Sequence, residues 1–189
     1  MKTRESGMPD ESAWNAFFDP PSILAKLGLD ASRRCVVEFG CGYGTFTVAA
    51  ARACGGTVLA MDIEEDMIAA TARKAERLGI SNVQLHLHDF VSQGTGISDG
   101  TADYAMLFNI LHAEQPIALL REAWRILAPG GSVGIIHWNF DPATPRGPSM
   151  GIRPRPEQCR EWTRQAGFEL IQPHVDLPPH HYGIAGRKP

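Results

Sequence analysis

Short apolar runs alternate with longer segments of helical period along the chain. The apolar runs predict strands at 35–39, 57–61, 83–87, 104–108 and 133–138. The segments between them predict helices at 45–53, 64–78 and 116–127. This alternation is typical of a parallel sheet with crossover helices. The second helix begins with acidic residues and is followed by Gly79, as the helix dipole and glycine capping favour.

The two ends of the chain extend this pattern. Residues 12–27 predict a helix with Trp14, Phe17 and Phe18 as apolar anchors, broken at the Pro20-Pro21 pair. The proline-rich stretch 139–156 predicts a long loop, and such loops are commonly functional. A helix at 156–166 and two further apolar runs, 168–177 and 181–187, complete the pattern. We expect a single domain over 1–189 whose first 30 residues form a polar segment and a helix.

Composition narrows the class of protein. The 189 residues have 43% hydrophobic content, enough for one core, and a formal net charge of -3, which argues against tight nonspecific binding to nucleic acid. No segment approaches the roughly 18 apolar residues of a membrane span, and the polar start resembles no export signal. The four cysteines show no metal-ligand spacing. We expect a soluble cytoplasmic protein with reduced thiols and no metal site.

The stretch VVEFGCGYGTF, residues 36–46, predicts a strand that turns into a helix around a ligand. An acid about 20 residues later, Asp62, fits a dinucleotide site, so an NAD-dependent oxidoreductase is one interpretation. The dinucleotide fingerprint G-x-G-x-x-G requires a third glycine where Thr45 stands. The spacing here is G-x-G-x-G instead, which weakens that interpretation.

Glu38 lies two residues before the glycines. A carboxylate aimed into the turn would repel a pyrophosphate but could pair with an ammonium group. S-adenosylmethionine carries an ammonium group, a carboxylate that amides at a helix N-terminus can receive, and a ribose diol that Asp62 can bind. One ligand therefore accounts for all three features.

Six segments, in order, resemble the motifs of class I S-adenosylmethionine-dependent methyltransferases. The chain is most similar to the small-molecule group, of the methyltransferase type 11 kind, and the likeness covers most of its length. The segments are VVEFGCGYGTFT, LAMDIEEDMI, LHDF, DYAMLFNILHAE, ILAPGGSVGIIHW and RPEQCREWTRQAGFEL. The resemblance implies a Rossmann-like, doubly wound α/β fold with a mostly parallel seven-stranded sheet whose last strand is antiparallel.

The resemblance also implies which residues bind the cofactor. Gly40, Cys41 and Gly42 would present backbone to the methionine part, with Glu38 holding its environment. Asp62 would bind the ribose hydroxyls. The remaining implied cofactor contacts are Ile63 and Met67 beside the adenosine, Asp89 and Phe90 at the adenine, and Asn109 near the methionine end. The product would be S-adenosylhomocysteine.

Candidate catalytic residues follow from the chemistry of methyl transfer. The electrophile is already activated, so the protein mainly aligns the acceptor and excludes water, and a base is needed only if the acceptor must lose a proton. In open α/β sheets the acceptor lies beyond the carboxyl ends of the strands. There His137 and His112 have the side chains suited to proton transfer near neutral pH.

Candidate acceptor-binding residues lie nearby. Arginine side chains suit carboxylate or phosphate, so Arg146, together with Arg153 or Arg155, is expected to receive an anionic small-molecule acceptor. Aromatic side chains, which include Phe17, Trp138 and Tyr182, are expected to form a wall of the same site. Residues 139–156 would then be the acceptor-side loop.

Other functions stay open at this point. Besides the oxidoreductase, the chain could be a cofactor-binding module without catalysis, or it could methylate a macromolecule. The short chain shows no appended recognition domain, which favours a small acceptor. The absence of N-P-P-[YF] after the fourth strand argues against methylation of DNA amino groups, and Cys159 is the only late cysteine, which argues against arsenite methylation.

Overall fold

The computed structural model describes residues 10–189. Residues 1–9, which belong to the predicted N-terminal polar segment, lie outside the described residues. The strands are β1 Cys35–Phe39, β2 Thr57–Asp62, β3 Val83–Leu87, β4 Ala102–Phe108, β5 Leu127–Trp138, β6 Glu169–Leu177 and β7 His181–Arg187. The helices are α1 Glu11–Asn15, α2 Pro20–Lys26, α3 Thr45–Ala53, α4 Glu65–Arg77, α5 Phe90–Gln93, α6 Pro116–Ile126 and α7 Pro156–Gln165.

The seven strands form one sheet in the order β3-β2-β1-β4-β5-β7-β6. Strands β1 to β5 pair in parallel, and β7 runs antiparallel between β5 and β6. The predicted Rossmann-like fold with an antiparallel last strand is therefore confirmed. The chain order reverses between β1 and β4, and a ligand cleft is expected beyond the carboxyl ends of the strands at such a reversal.

Local structure departs from the prediction in three places. The helix expected over 12–27 is two helices, because Asp10 caps α1 at the amide of Ala13 while Asp19 and two prolines begin α2. Strand β5 begins at Leu127, six residues before the predicted start at 133. Leu127 pairs with Ala102 of β4, and regular pairing with β4 resumes at Ser132, after the glycine pair. The short helix α5 was not predicted, because four residues carry too little periodicity to show it.

Buried side chains fill both faces of the sheet. Helices α6 and α7 pack on one face against residues such as Leu107 and Ile135, and α2 and α3 pack on the other against Met106 and Ile136. The hydroxyl of Tyr104 donates to the carbonyl of Leu27 and ties α2 to β4. With both faces covered, only the ends of the strands remain available for a ligand.

No helix within residues 10–189 is long and apolar enough to cross a membrane.

Candidate functional site

A cleft opens beyond the carboxyl ends of the parallel strands. It encloses about 1340 Å³, part of it open to solvent. Its walls come from the turns after β1, β2, β3, β4 and β5, from α1, and from the loop near Pro148. The ten positions predicted to hold the cofactor all line it: Glu38, Gly40, Cys41, Gly42, Asp62, Ile63, Met67, Asp89, Phe90 and Asn109. The fold therefore gathers residues that are up to 71 positions apart (109 − 38) around one space.

The glycine turn between β1 and α3 is tightly held. Gly40, Gly42 and Gly44 have φ values of 81°, 52° and 71°, in the left-handed region that favours glycine. The amides of Gly40 and Cys41 both donate to the carbonyl of Met61, at 2.9 Å. The amide of Gly42 donates to Oδ2 of Asp62 at 2.9 Å. These amides are thus used within the protein, so the turn offers close backbone approach rather than three unpaired donors.

Glu38 is a buried acid on the floor of the cleft. The hydroxyl of Thr47 donates to its Oε2. Burial, with a smaller contribution from the nearby charge of Asp62, raises the pKa of Glu38 to about 8 against the opposing effect of the Thr47 hydrogen bond. In this structure the side chain therefore carries a proton at neutral pH, and a cation placed beside it would favour loss of that proton.

Asp62 closes β2 and connects two turns. Its two oxygens accept from the amides of Gly42, at 2.9 Å, and Glu64, at 3.0 Å. Each carboxylate oxygen has a second lone pair, so these bonds leave acceptor capacity for hydroxyl groups of a ligand. Ile63 and Met67 continue the same wall.

Asp89 and Phe90 form the wall at the end of β3. Asp89 caps α5, where its oxygens accept from the amide of Ser92 at 3.3 Å and from the Ser92 hydroxyl at 2.6 Å. Phe90 is buried and packs edge-on against Phe39, with ring centroids 5.4 Å apart. Asp89 is thus both a helix cap and a cleft residue, so capping accounts for part of its role.

Asn109 directly follows β4 and has a strained backbone conformation. It is the only non-glycine residue with a positive φ, 57°, among residues 10–189. Its amide donates to the carbonyl of Ile136 at 2.8 Å, while both polar atoms of its side chain are buried without a partner in the same range. Strain together with buried polar atoms that lack partners is typical of a residue held ready for a ligand.

The two candidate histidines occupy different positions. His112 lines the cleft, and burial lowers its pKa, which keeps the ring neutral at physiological pH. His137 is fully buried and does not line the cleft. Burial first, and then repulsion that its charged form would meet from His112, His181 and Arg153, lowers the pKa of His137 well below its usual value. The structure therefore contradicts the prediction of His137 as a base that touches the acceptor, because its side chain faces the core.

The predicted acceptor-binding aromatics are also divided. Trp138 lines the cleft. Phe17 contacts Trp138 from behind, with ring centroids 5.3 Å apart, and is not part of the cleft wall. Tyr182 lies in the core, where its hydroxyl donates to the carbonyl of Pro154 at 3.3 Å. Tyr182 is thus a packing residue, because its hydroxyl also contacts Sγ of Cys159 in α7, at 3.2 Å, and its side chain is fully buried.

The three arginines of the acceptor-side loop have three different surroundings. Arg146 is exposed and lines the cleft. Arg153 is buried and donates to the carbonyls of residues 139, 141, 146 and 148 and to the hydroxyl of Thr144. Arg155 lies over the ring of Phe140, 3.8 Å from its centroid. The guanidinium of Arg153 is therefore engaged within the loop, and the pairing of Arg146 with Arg155 stays a prediction.

Two features of the site were not predicted. Trp14 of α1 lines the cleft, and α1 is held there by a bond from the Thr45 hydroxyl to Asn15, 2.7 Å, and by the Lys74–Glu11 ion pair, 2.8 Å. Arg153 shapes the acceptor-side loop rather than binding a ligand. The aromatic content of residues 14–18 was a sequence signal for the contribution of Trp14. The role of Arg153 had no such signal, because nothing in the sequence separates a buried arginine from an exposed one.

No group of three or more histidine, cysteine or acidic side chains within residues 10–189 is arranged to hold a metal ion.

Comparison with known proteins identifies the class to which this fold and cleft belong. Residues 36–131 match the family described as "Methyltransferase domain". The match spans more than half of the chain, and the chain belongs to this family. Its fold and motifs are those of the class I S-adenosylmethionine-dependent methyltransferases, a family that uses S-adenosylmethionine as methyl donor.

Individual relatives match parts of longer proteins. An uncharacterized 37.1 kDa protein in transposon TN4556 of Streptomyces fradiae is 28% identical over 179 residues, 89% of this chain and 49% of that protein. Ribosomal protein L11 methyltransferase of Salmonella arizonae is 33% identical over 94 residues, 42% of this chain and 32% of that protein. The chain thus spans about half the length of the first relative and about a third of the second.

Solved structures share the fold. A SAM-dependent methyltransferase from Aquifex aeolicus has a TM-score of 0.82 at 23% identity and covers 94% of this chain and 93% of its own. The [4+2]-cyclase SpnF has a TM-score of 0.76 at 19% identity, covering 98% and 84%. Geranyl diphosphate C-methyltransferase from Streptomyces coelicolor A3(2) has a TM-score of 0.73 at 18% identity, covering 95% and 78%. These proteins differ in reaction, so their likeness describes the fold alone.

Proposed function

We propose that this chain transfers a methyl group from S-adenosylmethionine to a small acceptor and releases S-adenosylhomocysteine. The observation that supports it most strongly is the convergence of the ten expected cofactor positions on one cleft. When bound, S-adenosylmethionine would supply a methyl group on a positively charged sulfur. As the acceptor atom bonds to the methyl carbon, the bond from sulfur to that carbon breaks and its electron pair returns to the sulfur. The protein itself contributes binding, alignment and exclusion of water.

The residues on the donor side fit that cofactor. Glu38 is the buried acid beside which an ammonium group would lie, and Asp62 keeps acceptor capacity for two ribose hydroxyls. Asn109 has buried amide atoms that need a partner. A buried polar atom without a partner costs roughly 1–3 kcal/mol, so binding would recover stability lost in the empty protein.

A small acceptor would occupy the part of the cleft between the ends of β4 and β5 and the acceptor-side loop. His112, Trp138 and Arg146 line this part. The single guanidinium of Arg146 favours an acceptor that carries negative charge. The geranyl diphosphate methyltransferase among the solved structures is named for a small anionic substrate, which agrees with this proposal without identifying the acceptor.

Calorimetry tests the cofactor part of the proposal. S-adenosylhomocysteine is expected to bind with a micromolar or tighter dissociation constant, and NAD is expected not to bind. Asp62→Asn should weaken S-adenosylhomocysteine binding, whereas Asp99→Asn, which changes an exposed acid on the α5–β4 connection, should not. Binding of NAD in place of S-adenosylhomocysteine would contradict the proposal.

An acceptor screen tests the transfer itself. Purified protein and S-adenosylmethionine are incubated with a diverse metabolite set, and separately with RNA and protein extracts, while release of S-adenosylhomocysteine is recorded. Turnover with a metabolite is expected, and Arg146→Glu should raise the apparent KM for an anionic acceptor about tenfold with little change in S-adenosylhomocysteine affinity. Turnover confined to RNA or protein extracts would replace the small acceptor with a macromolecule.

A further inference from the structure

Two histidine rings meet behind the acceptor side of the cleft. The centroids of His112 and His137 are 5.6 Å apart, and the rings are nearly perpendicular, at 82°. Nδ1 of His112 and Nε2 of His137 are both buried, and neither has a hydrogen-bond partner within residues 10–189. Buried polar nitrogens are nearly always paired, and no direct hydrogen bond joins these two. One water between the neighbouring rings would satisfy both nitrogens.

The backbone determines where His137 carries its proton. The amide of Trp138 donates to Nδ1 of His137 at 2.9 Å, so this nitrogen must present a lone pair. A neutral imidazole has one N–H, which then lies on Nε2. The ring is neutral because burial disfavours its charged form. His137 is therefore a hydrogen-bond donor toward its neighbour.

The same argument applies to His112 in turn. In the hydrogen-bonded chain that satisfies both nitrogens, the water accepts from Nε2–H of His137 and donates to Nδ1 of His112, which must then present a lone pair. The proton of neutral His112 then lies on Nε2, the ring nitrogen left to face the cleft that His112 lines.

We infer that His137 is a positioning residue that makes His112 a hydrogen-bond donor in the cleft. Nε2–H of His112 would donate to an anionic oxygen of the acceptor. The inference rests on the proposed function for the presence of an acceptor. His112 would then not act as a base, and the acceptor would be a nucleophile that needs no proton removed by histidine. Arg146, which lines the same cleft, adds a second donor for the same kind of anion.

Nitrogen NMR of the histidine rings tests the tautomers directly. The protein is labelled with ¹⁵N in its histidine rings, saturated with S-adenosylhomocysteine, and recorded at pH 7.5. His112→Gln assigns the His112 signals. His112 is expected to carry its proton on Nε2 with a preference of roughly fivefold to tenfold, as one net hydrogen bond would produce. A majority of the Nδ1–H form would overturn the inference, and the tautomers themselves are recorded in the wild-type protein.

Two replacements of His137 separate positioning from packing. His137→Gln retains a side-chain N–H, whereas His137→Leu keeps comparable bulk and removes it. The Nε2–H preference of His112 is expected to persist in His137→Gln and to fall to about twofold or less in His137→Leu. An unchanged preference in a folded His137→Leu protein would show that His137 does not position His112.

A simple anion tests the second half of the inference. Benzoate is titrated into the protein saturated with S-adenosylhomocysteine, with benzylamine as the matched cation. Benzoate is expected to shift the Nε2 signal of His112, and benzylamine is not. Equal shifts, or no shift with benzoate, would overturn the anion site. Failure of S-adenosylhomocysteine to bind in calorimetry would instead contradict the proposed function, while the tautomers stay measurable in the unliganded protein.

Discussion

The buried carboxyl of Glu38 should make the stability of this protein fall as pH rises through neutrality. A carboxyl whose pKa is raised by folding holds a proton that the unfolded chain has already released. Stability is then lost between the ordinary pKa of 4.5 and the folded value of about 8. The change tested is Glu38→Gln, which keeps the shape and removes the titration.

The expected magnitude follows from the shift. A difference of about 3.5 pKa units (8 − 4.5), at about 1.36 kcal/mol per unit, corresponds to about 5 kcal/mol of unfolding free energy. The wild-type protein should lose an amount of this order between pH 4.5 and pH 8.5. Glu38→Gln should lack this component, so the variant should gain several kcal/mol on the wild type at pH 8.5 and little at pH 4.5.

Urea unfolding followed by tryptophan fluorescence at half-unit pH steps measures the difference. Glu65→Gln is the matched control, because it removes an exposed carboxyl from the first turn of α4. The control should follow the wild-type profile apart from small helix-dipole effects. Parallel profiles for wild type and Glu38→Gln from pH 4.5 to 8.5 would refute the argument, because they would mean that Glu38 is ionised in the folded protein.

Three further predictions concern the cleft and its loop. Binding of S-adenosylhomocysteine at pH 7 should release up to one proton, because the ammonium group of the ligand favours ionised Glu38. Calorimetry in buffers of different ionisation enthalpy measures the number of protons released. An equal release from Glu38→Gln would contradict the prediction. Gly44→Ala should lower the free energy of unfolding by about 2–4 kcal/mol, because the added Cβ would lie 2.8 Å from Thr71 Cγ2 at a φ of 71°. The control Gly79→Ala has a φ of 65° but open space around the added Cβ, so it should cost about 1 kcal/mol in urea unfolding. Equal costs for the two variants would contradict the steric argument. Arg153→Met should cost on the order of 3 kcal/mol and speed proteolysis of the loop before Pro148, because it removes the hydrogen bonds from the guanidinium to the loop carbonyls. Unchanged stability and cleavage would show that the loop holds its shape without Arg153.

Strand and helix positions could be predicted closely from the sequence. Strands β1 and β3 and helix α3 have the predicted bounds, because each is a short apolar or periodic run between glycines or other clear ends. Helices α4 and α6 differ from prediction by one residue at their ends, as fraying and capping allow. The antiparallel direction of the last strand followed from the family resemblance rather than from any single segment.

The acceptor side could be predicted only in part. His112, Trp138 and Arg146 reach the cleft as expected, while His137, Tyr182 and Arg153 are buried elsewhere. Alternation along β5 puts His137 and Trp138 on opposite faces, and the sequence does not say which face opens to the cleft. That choice depends on where α7 and the loop before it pack, and these contacts join residues distant in sequence.

By itself the sequence determined the class of protein. The glycine turn, Glu38 before it and Asp62 after it lie within 25 residues, and local spacing carries that information because one strand–helix–strand unit, β1-α3-β2, holds all three. Only the tertiary structure decided which donors and acceptors remain for a ligand. The amides of the glycine turn are paired with Met61 and Asp62, and the backbone at Trp138 orients the proton of His137. Such pairings depend on long-range packing, which spacing along the chain does not specify.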